Sequence, residues 1–195
     1  MEAISERRRI ILGVSGATGI AYGVRILELL RTADVETHLV VSKAGHLTRA
    51  YETELSAREL EAMADVNYAP ADVGAAIASG SFRTMGMIVA PCSIRTLAEI
   101  ASCVSSSLLT RAADVCLKER RRVVLLVRET PLHAGHLRAM LAATEMGAVV
   151  MPPVPAFYTR PQSIRDIVDQ TAARALDLFD IDAPDIPRWT GQPIP

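Results

Sequence analysis

Five short aliphatic runs recur along the chain: Ile10 to Val14, Glu36 to Val41, Gly86 to Ala90, Val123 to Val127 and Ala148 to Met151. They are continuous rather than alternating, which is how strands covered on both faces read. Helical spacing of apolar residues separates most of them, over Ala21 to Leu30, Lys43 to Ala50, Ser56 to Met63, Ile94 to Cys103, Leu108 to Arg120 and His136 to Glu145, and a last helix carries Arg174. The order of strand and helix predicts a doubly wound α/β fold, a three-layer α/β/α sandwich with a mainly parallel, Rossmann-like sheet. One domain is expected over residues 1–182. Residues 183–195 hold four prolines in thirteen positions and read as a tail that packs on the domain or on a neighbour.

In open parallel sheets ligands bind beyond the carboxyl ends of the strands, so the sequels to the five runs matter most. They read "SGATG", "SKAG", "PCSIRT", "RETP" and "PPVPAFYTRP". Small residues from Ser15 to Gly19 let the N–H groups of a helix N-terminus approach an anion. The glycines do not spell G-x-G-x-x-G, and the second run ends in Ser42-Lys43 where a dinucleotide site would place an acid for a ribose hydroxyl. This turn alone is compatible with a mononucleotide, with a dinucleotide whose 2′-phosphate meets Lys43, or with a tight structural turn. After the third run, Pro91 is expected to stop the strand and Ser93 to cap the next helix, with Ser93 and Thr96 turning hydroxyls toward the same anion. Two helix N-termini on one rim suit one compact phosphate with a flat ring laid between them.

Charge and composition narrow the class. The formal net charge of -1 provides no field for nucleic acid or an anionic membrane. No run approaches the ~18 apolar residues of a membrane span. Met1 to Ala21 imitates a secretory leader, but glycines interrupt it and an amphipathic helix follows, so a cytoplasmic protein is expected. Cys92, Cys103 and Cys116 are odd in number and lack metal-ligand spacing, which fits buried thiols in a reducing compartment. His133 and His136 stand three apart without a matching carboxylate or cysteine cluster, so no metal site is expected. Arg111 and Lys118, seven residues apart on one helix, share a face at roughly 10 Å. Arg128-Glu129 closes the fourth run, and a charged pair at the carboxyl end of a buried strand reads as functional.

The segments "VSGATGIAYGVRILELL", "ASGSFRTMGMIVAPCSIRTLAEIA", "LLTRAADVCLKERR", "VLLVRETPL", "GAVVMPPVPAFYTRPQSIRDIVD" and "IPRW" resemble, in order, the flavin prenyltransferases of the UbiX type, in the homo-oligomeric flavoprotein superfamily. The likeness runs from Ile10 to Trp189, and "LTRAADVCLKERR" with "PAFYTRPQSI" is its most specific part. It implies transfer of a dimethylallyl group from dimethylallyl monophosphate to reduced FMN, giving prenylated FMN for a partner decarboxylase. It implies FMN contacts at Gly16, Ala17, Thr18, Ser42, Ser93, Ile94, Arg95, Thr96 and Arg128, and prenyl-phosphate contacts at Arg111, Lys118, Tyr158 and Arg174. Glu129 and Glu52 are placed near the reacting centre. The family forms large homo-oligomers, up to a dodecamer, with sites at subunit contacts, so Arg111 and Lys118 are expected to serve a neighbour's flavin.

The chemistry asks for these residue types. Prenyl transfer from a diphosphate usually relies on magnesium held by Asp-rich clusters, which this chain lacks, and Arg111, Lys118 and Arg174 supply the charge instead. Glu129 is suited to move a proton. Tyr68, in the loop over residues 67–84, is expected to offer a π-face beside the allylic cation. The chain departs from the family pattern at Ser107 and Ala139. The same turns also suit a flavin-dependent Cys decarboxylase, a non-catalytic flavin carrier for a decarboxylase, or an NADP-dependent reductase.

Overall fold

The computed structural model describes residues 7–183, 189 and 191. Six strands form one sheet: β1 (Arg9–Val14), β2 (Glu36–Val41), β3 (Val66–Tyr68), β4 (Gly86–Cys92), β5 (Arg122–Val127) and β6 (Ala148–Val150), in the order β3-β2-β1-β4-β5-β6. Every neighbouring pair is parallel. The helices are α1 (Ile20–Thr32), α2 (Lys43–Glu52), α3 (Ala57–Glu61), α4 (Ile94–Ala101), α5 (Leu108–Lys118), α6 (Ala134–Glu145) and α7 (Ile164–Asp177). The expected sandwich is the observed one.

The unbroken apolar runs follow from burial on both faces. Ile10, Leu12, Val14, Val124 and Leu126 join the core under α1 and α7, while Ile11, Val123, Leu125 and Val127 join the core under α4 and α5. Each strand alternates between two cores instead of between core and water.

Two expectations fail locally. Tyr68 belongs to β3, a three-residue edge strand that pairs with β2 through His38, Leu39 and Val40, and so short a run gives no period to read. Pro91 does not stop β4, which continues to Cys92. The β4–β5 register shifts between Val89 and Cys92, so the ladder does not ask Pro91 for the N–H it lacks.

The strand order reverses between β1 and β4. Their pairing ends at Gly13 opposite Val89, and beyond that point the chains diverge into separate turns. A doubly wound sheet opens its ligand crevice at this switch point.

Candidate functional site

A cavity of about 880 Å³ occupies that crevice. The turns after β1, β2, β4 and β5 bring to it Gly16, Ala17, Thr18, Ser42, Ser93, Ile94, Arg95, Thr96 and Arg128, all nine residues expected to touch FMN, and Glu129 lines it with them. The first two turns are in contact: a Cβ on Gly16 would lie 2.3 Å from the Cβ of Ala44, which is why small residues recur in both.

The helix N-termini at the cavity differ in what their donors already hold. At α1, Gly19 takes a φ of 103°, and its N–H and that of Ile20 donate to Glu52 Oε2 at 2.8 and 2.9 Å. The carboxylate of Glu52 therefore occupies the donors that the opening turn was expected to offer a phosphate. At α2, the Ser42 side chain accepts from Gly45 N–H at 2.9 Å. At α4, Ser93 Oγ accepts from Thr96 N–H and donates to the Thr96 hydroxyl at 3.1 Å. The N–H groups of Ile94 and Arg95 in its first turn have no acceptor within the helix, and both residues line the cavity. This end of the site fits a phosphate monoester.

Arg95 is committed to Glu99 at 2.9 Å, one turn along α4. Arg128 extends the sheet, its backbone N–H donating to Cys92 O at 2.9 Å. Glu129 Oε1 accepts from Thr130 N–H at 3.1 Å. Cys92 is fully buried, and desolvation pushes its thiol far above the usual range, while Cys116 is pushed up to about 11 by the same cause. Neither is an activated nucleophile.

The second set of expected residues lies outside this cavity in a single chain. Arg111 pairs with Asp114 at 2.8 Å and Lys118 with Glu119 at 2.5 Å. Thr110 at the start of α5 lines the cavity, so Lys118 lies roughly 12 Å along the axis toward the opposite rim. Arg174 pairs with Asp177 at 2.6 Å. Tyr158 accepts from Gln170 Nε2 at 3.4 Å and meets the ring of Trp189 edge-on at 5.6 Å. Gln170 stands one turn before Arg174, so Tyr158 meets α7 one turn from Arg174.

The π-face expected from Tyr68 is not offered to the cavity. Its hydroxyl lies 3.0 Å from His38 Nδ1, whose Nε2 lies 2.9 Å from Glu36 Oε1, and Arg9 reaches the same oxygen at 3.3 Å. Burial holds the imidazole below its usual range, and the Glu36 hydrogen bond partly opposes this. A neutral ring beside a carboxylate carries its proton on Nε2, so Nδ1 accepts from Tyr68.

The structure adds residues the sequence did not single out. Pro70 and Ala71, just after β3, form one wall, and Glu99, Ser106 and Thr110 another. Ser107 also lines the cavity, whereas Ala139 packs against the core beside α4 and α5. Ser15 is wholly buried and binds across the switch point. Its place in "SGATG" was visible, but not the direction of its hydroxyl.

The Flavoprotein family matches residues 2–176. Flavin prenyltransferase UbiX of Neisseria meningitidis serogroup B is 58% identical over 184 residues, spanning 94% of this chain and 97% of its own. This chain belongs to the UbiX-type flavin prenyltransferase family. Among solved structures, AnUbiX (PadA1) in complex with FMN and dimethylallyl pyrophosphate superposes with a TM-score of 0.94 at 52% identity, over 95% of this chain and 99% of that one. A dodecameric FMN-dependent UbiX-like decarboxylase from Escherichia coli O157:H7 gives 0.92 at 50% identity, over 94% and 100%. Among the described residues no helix is long and apolar enough to cross a membrane, and no cluster of His, Cys, Asp or Glu could hold a metal ion.

Proposed function

We propose that the protein is a cytoplasmic flavin prenyltransferase that joins the dimethylallyl group of dimethylallyl monophosphate to reduced FMN, for use by a partner decarboxylase. The observation that carries this reading is the convergence of all nine expected FMN residues on one cavity at the switch point of the sheet. Its volume suits a ligand of that size. The N-terminus of α4 would hold the phosphate of FMN, through the Ile94 and Arg95 N–H groups and the hydroxyl of Thr96, which Ser93 Oγ orients, with Arg128 beside it.

Bound reduced FMN would supply the electron pair for the new carbon bond as the allylic carbon–oxygen bond breaks and its pair leaves with phosphate. Glu129, at the carboxyl end of β5, takes up the proton the flavin loses and returns it to the departing phosphate. Arg111, Lys118, Tyr158 and Arg174 bind the donor's phosphate, and the guanidinium and ammonium groups stabilise the charge that grows as the bond breaks. Glu52 stands at the first turn, on the N–H groups of Gly19 and Ile20 that follow Thr18, near the reacting centre.

Because the cations point elsewhere in their own chain, the complete site is assembled from different copies in a homo-oligomer, as in a dodecamer. One FMN-binding domain over residues 1–182 fits the single sheet, with residues 1–6 outside the described ones; of the expected tail, Trp189 meets Tyr158 edge-on, and residues 184–188, 190 and 192–195 lie outside the described residues. The test is anaerobic phosphate release. Inorganic phosphate should appear only when reduced FMN and dimethylallyl phosphate are both present; no release from folded, flavin-loaded protein overturns the reading.

A further inference from the structure

Ser15 is the last residue of the β1 side before the turn that lines the cavity, and it is 0% exposed. Its backbone N–H donates to Pro91 O at 3.2 Å, and its hydroxyl donates to the same oxygen at 2.9 Å. The same hydroxyl oxygen accepts from Ser93 N–H at 2.7 Å. One side chain thus spans the switch point, one turn past the end of the β1–β4 ladder at Gly13 and Val89. Ser15 itself precedes Gly16, and Ser93, which it holds, precedes Ile94.

We infer that Ser15 is a positioning residue for flavin binding, a clasp that fixes the N-terminus of α4 against the β1 turn so that the α4 donors converge on the phosphate. This rests on the proposed phosphate seat at α4. Beyond the Gly13–Val89 pair a single backbone bond, Ser15 N–H to Pro91 O, joins the two sides, and the hydroxyl is the one group that ties the first residue of the α4 turn, Ser93, to the β1 turn. The hydroxyl does three things at once: it gives the Pro91 carbonyl a second donor, quenches the Ser93 N–H, and leaves Ile94 and Arg95 as the free donors of that turn. Ser93 N–H is thereby withheld from the ligand. The phosphate is read by the next two amides, whose direction the clasp sets.

The prediction separates a phosphate effect from general loosening. In Ser15→Ala, FMN should bind about tenfold more weakly, the effect of leaving the Ser93 N–H unpaired beside the seat, while riboflavin affinity changes less than about threefold. A purely structural role would lower the melting temperature and weaken both flavins alike, and that result overturns the inference. If the unaltered protein binds FMN no more tightly than riboflavin, the phosphate seat itself is wrong. Should Ser15→Ala fail to fold, residue-resolved amide exchange on the unaltered apo protein decides. Ser93 N–H should be protected without FMN, and Ile94 and Arg95 N–H should gain protection only on adding it; equally fast exchange of all three overturns the clasp.

Discussion

Glu52 Oε2 accepts hydrogen bonds from both Gly19 N–H and Ile20 N–H, at 2.8 and 2.9 Å, across 33 and 32 residues of chain. A carboxylate on the open donors of a thirteen-residue helix is favoured by hydrogen bonding and by the helix dipole. Glu52→Ala should lower stability by about 1 kcal/mol, and Glu52→Gln by less, because its amide oxygen still accepts. Denaturant midpoints of the two variants check this; equal losses would show that the oxygen acceptor is not what matters.

The separation of the flavin cavity from Lys118 and Arg174 predicts complementation between copies. Arg128→Ala and Lys118→Ala should each be nearly inactive alone. Co-assembled one to one, they should recover roughly a quarter of the sites, those that draw an intact half from each variant. Activity that stays at the level of the single variants would place both halves in one chain.

Glu129 lines the cavity where the last buried strand ends. Glu129→Gln keeps the shape and a hydrogen-bond acceptor while losing proton exchange, so FMN affinity should hold and turnover fall about a hundredfold or more. Titration of FMN fluorescence and single-turnover kinetics separate the two; unchanged turnover removes Glu129 from proton transfer.

His38 gives the fold a pH signature. Burial lowers its folded pKa below the unfolded value of about 6.5, so between those values the unfolded chain binds the extra proton. The stability it contributes is complete above about pH 6.5 and is lost as pH falls through the folded value. Glu36, Arg9, Tyr68 and Asp65 are the ionisable groups around it, and Asp65, although burial raises it, is held below its usual range by the Thr37 N–H and Arg7, so its own window lies lower. The melting temperature should therefore drop between pH 7 and pH 5, and less steeply in His38→Gln. Parallel slopes would exclude the imidazole.

Much of this was legible in the sequence because buried parallel strands and their sequels leave a strong pattern. β2 matched its expected bounds, Glu36 to Val41, and the flavin cavity formed from the turns that follow β1, β2, β4 and β5. What stayed hidden depended on direction rather than on residue type. The glycine turn announced an anion site, yet the anion on α1 is Glu52 of the same chain, a pairing no local spacing reveals. Tyr68 looked like a loop aromatic, because three residues of edge strand carry no period and its partner His38 lies 30 residues away. Arg111, Lys118 and Arg174 were recognised as a set, but a single chain pairs each with an acid of its own helix or its end.

Prenyl transfer by this chain makes a new carbon bond to flavin. Its most direct test is the mass of the flavin extracted after anaerobic incubation of the protein with reduced FMN and dimethylallyl phosphate. The extracted flavin should be heavier than FMN by one five-carbon unit, formed without added metal. FMN recovered at its original mass, from folded protein shown to bind both compounds, would contradict it.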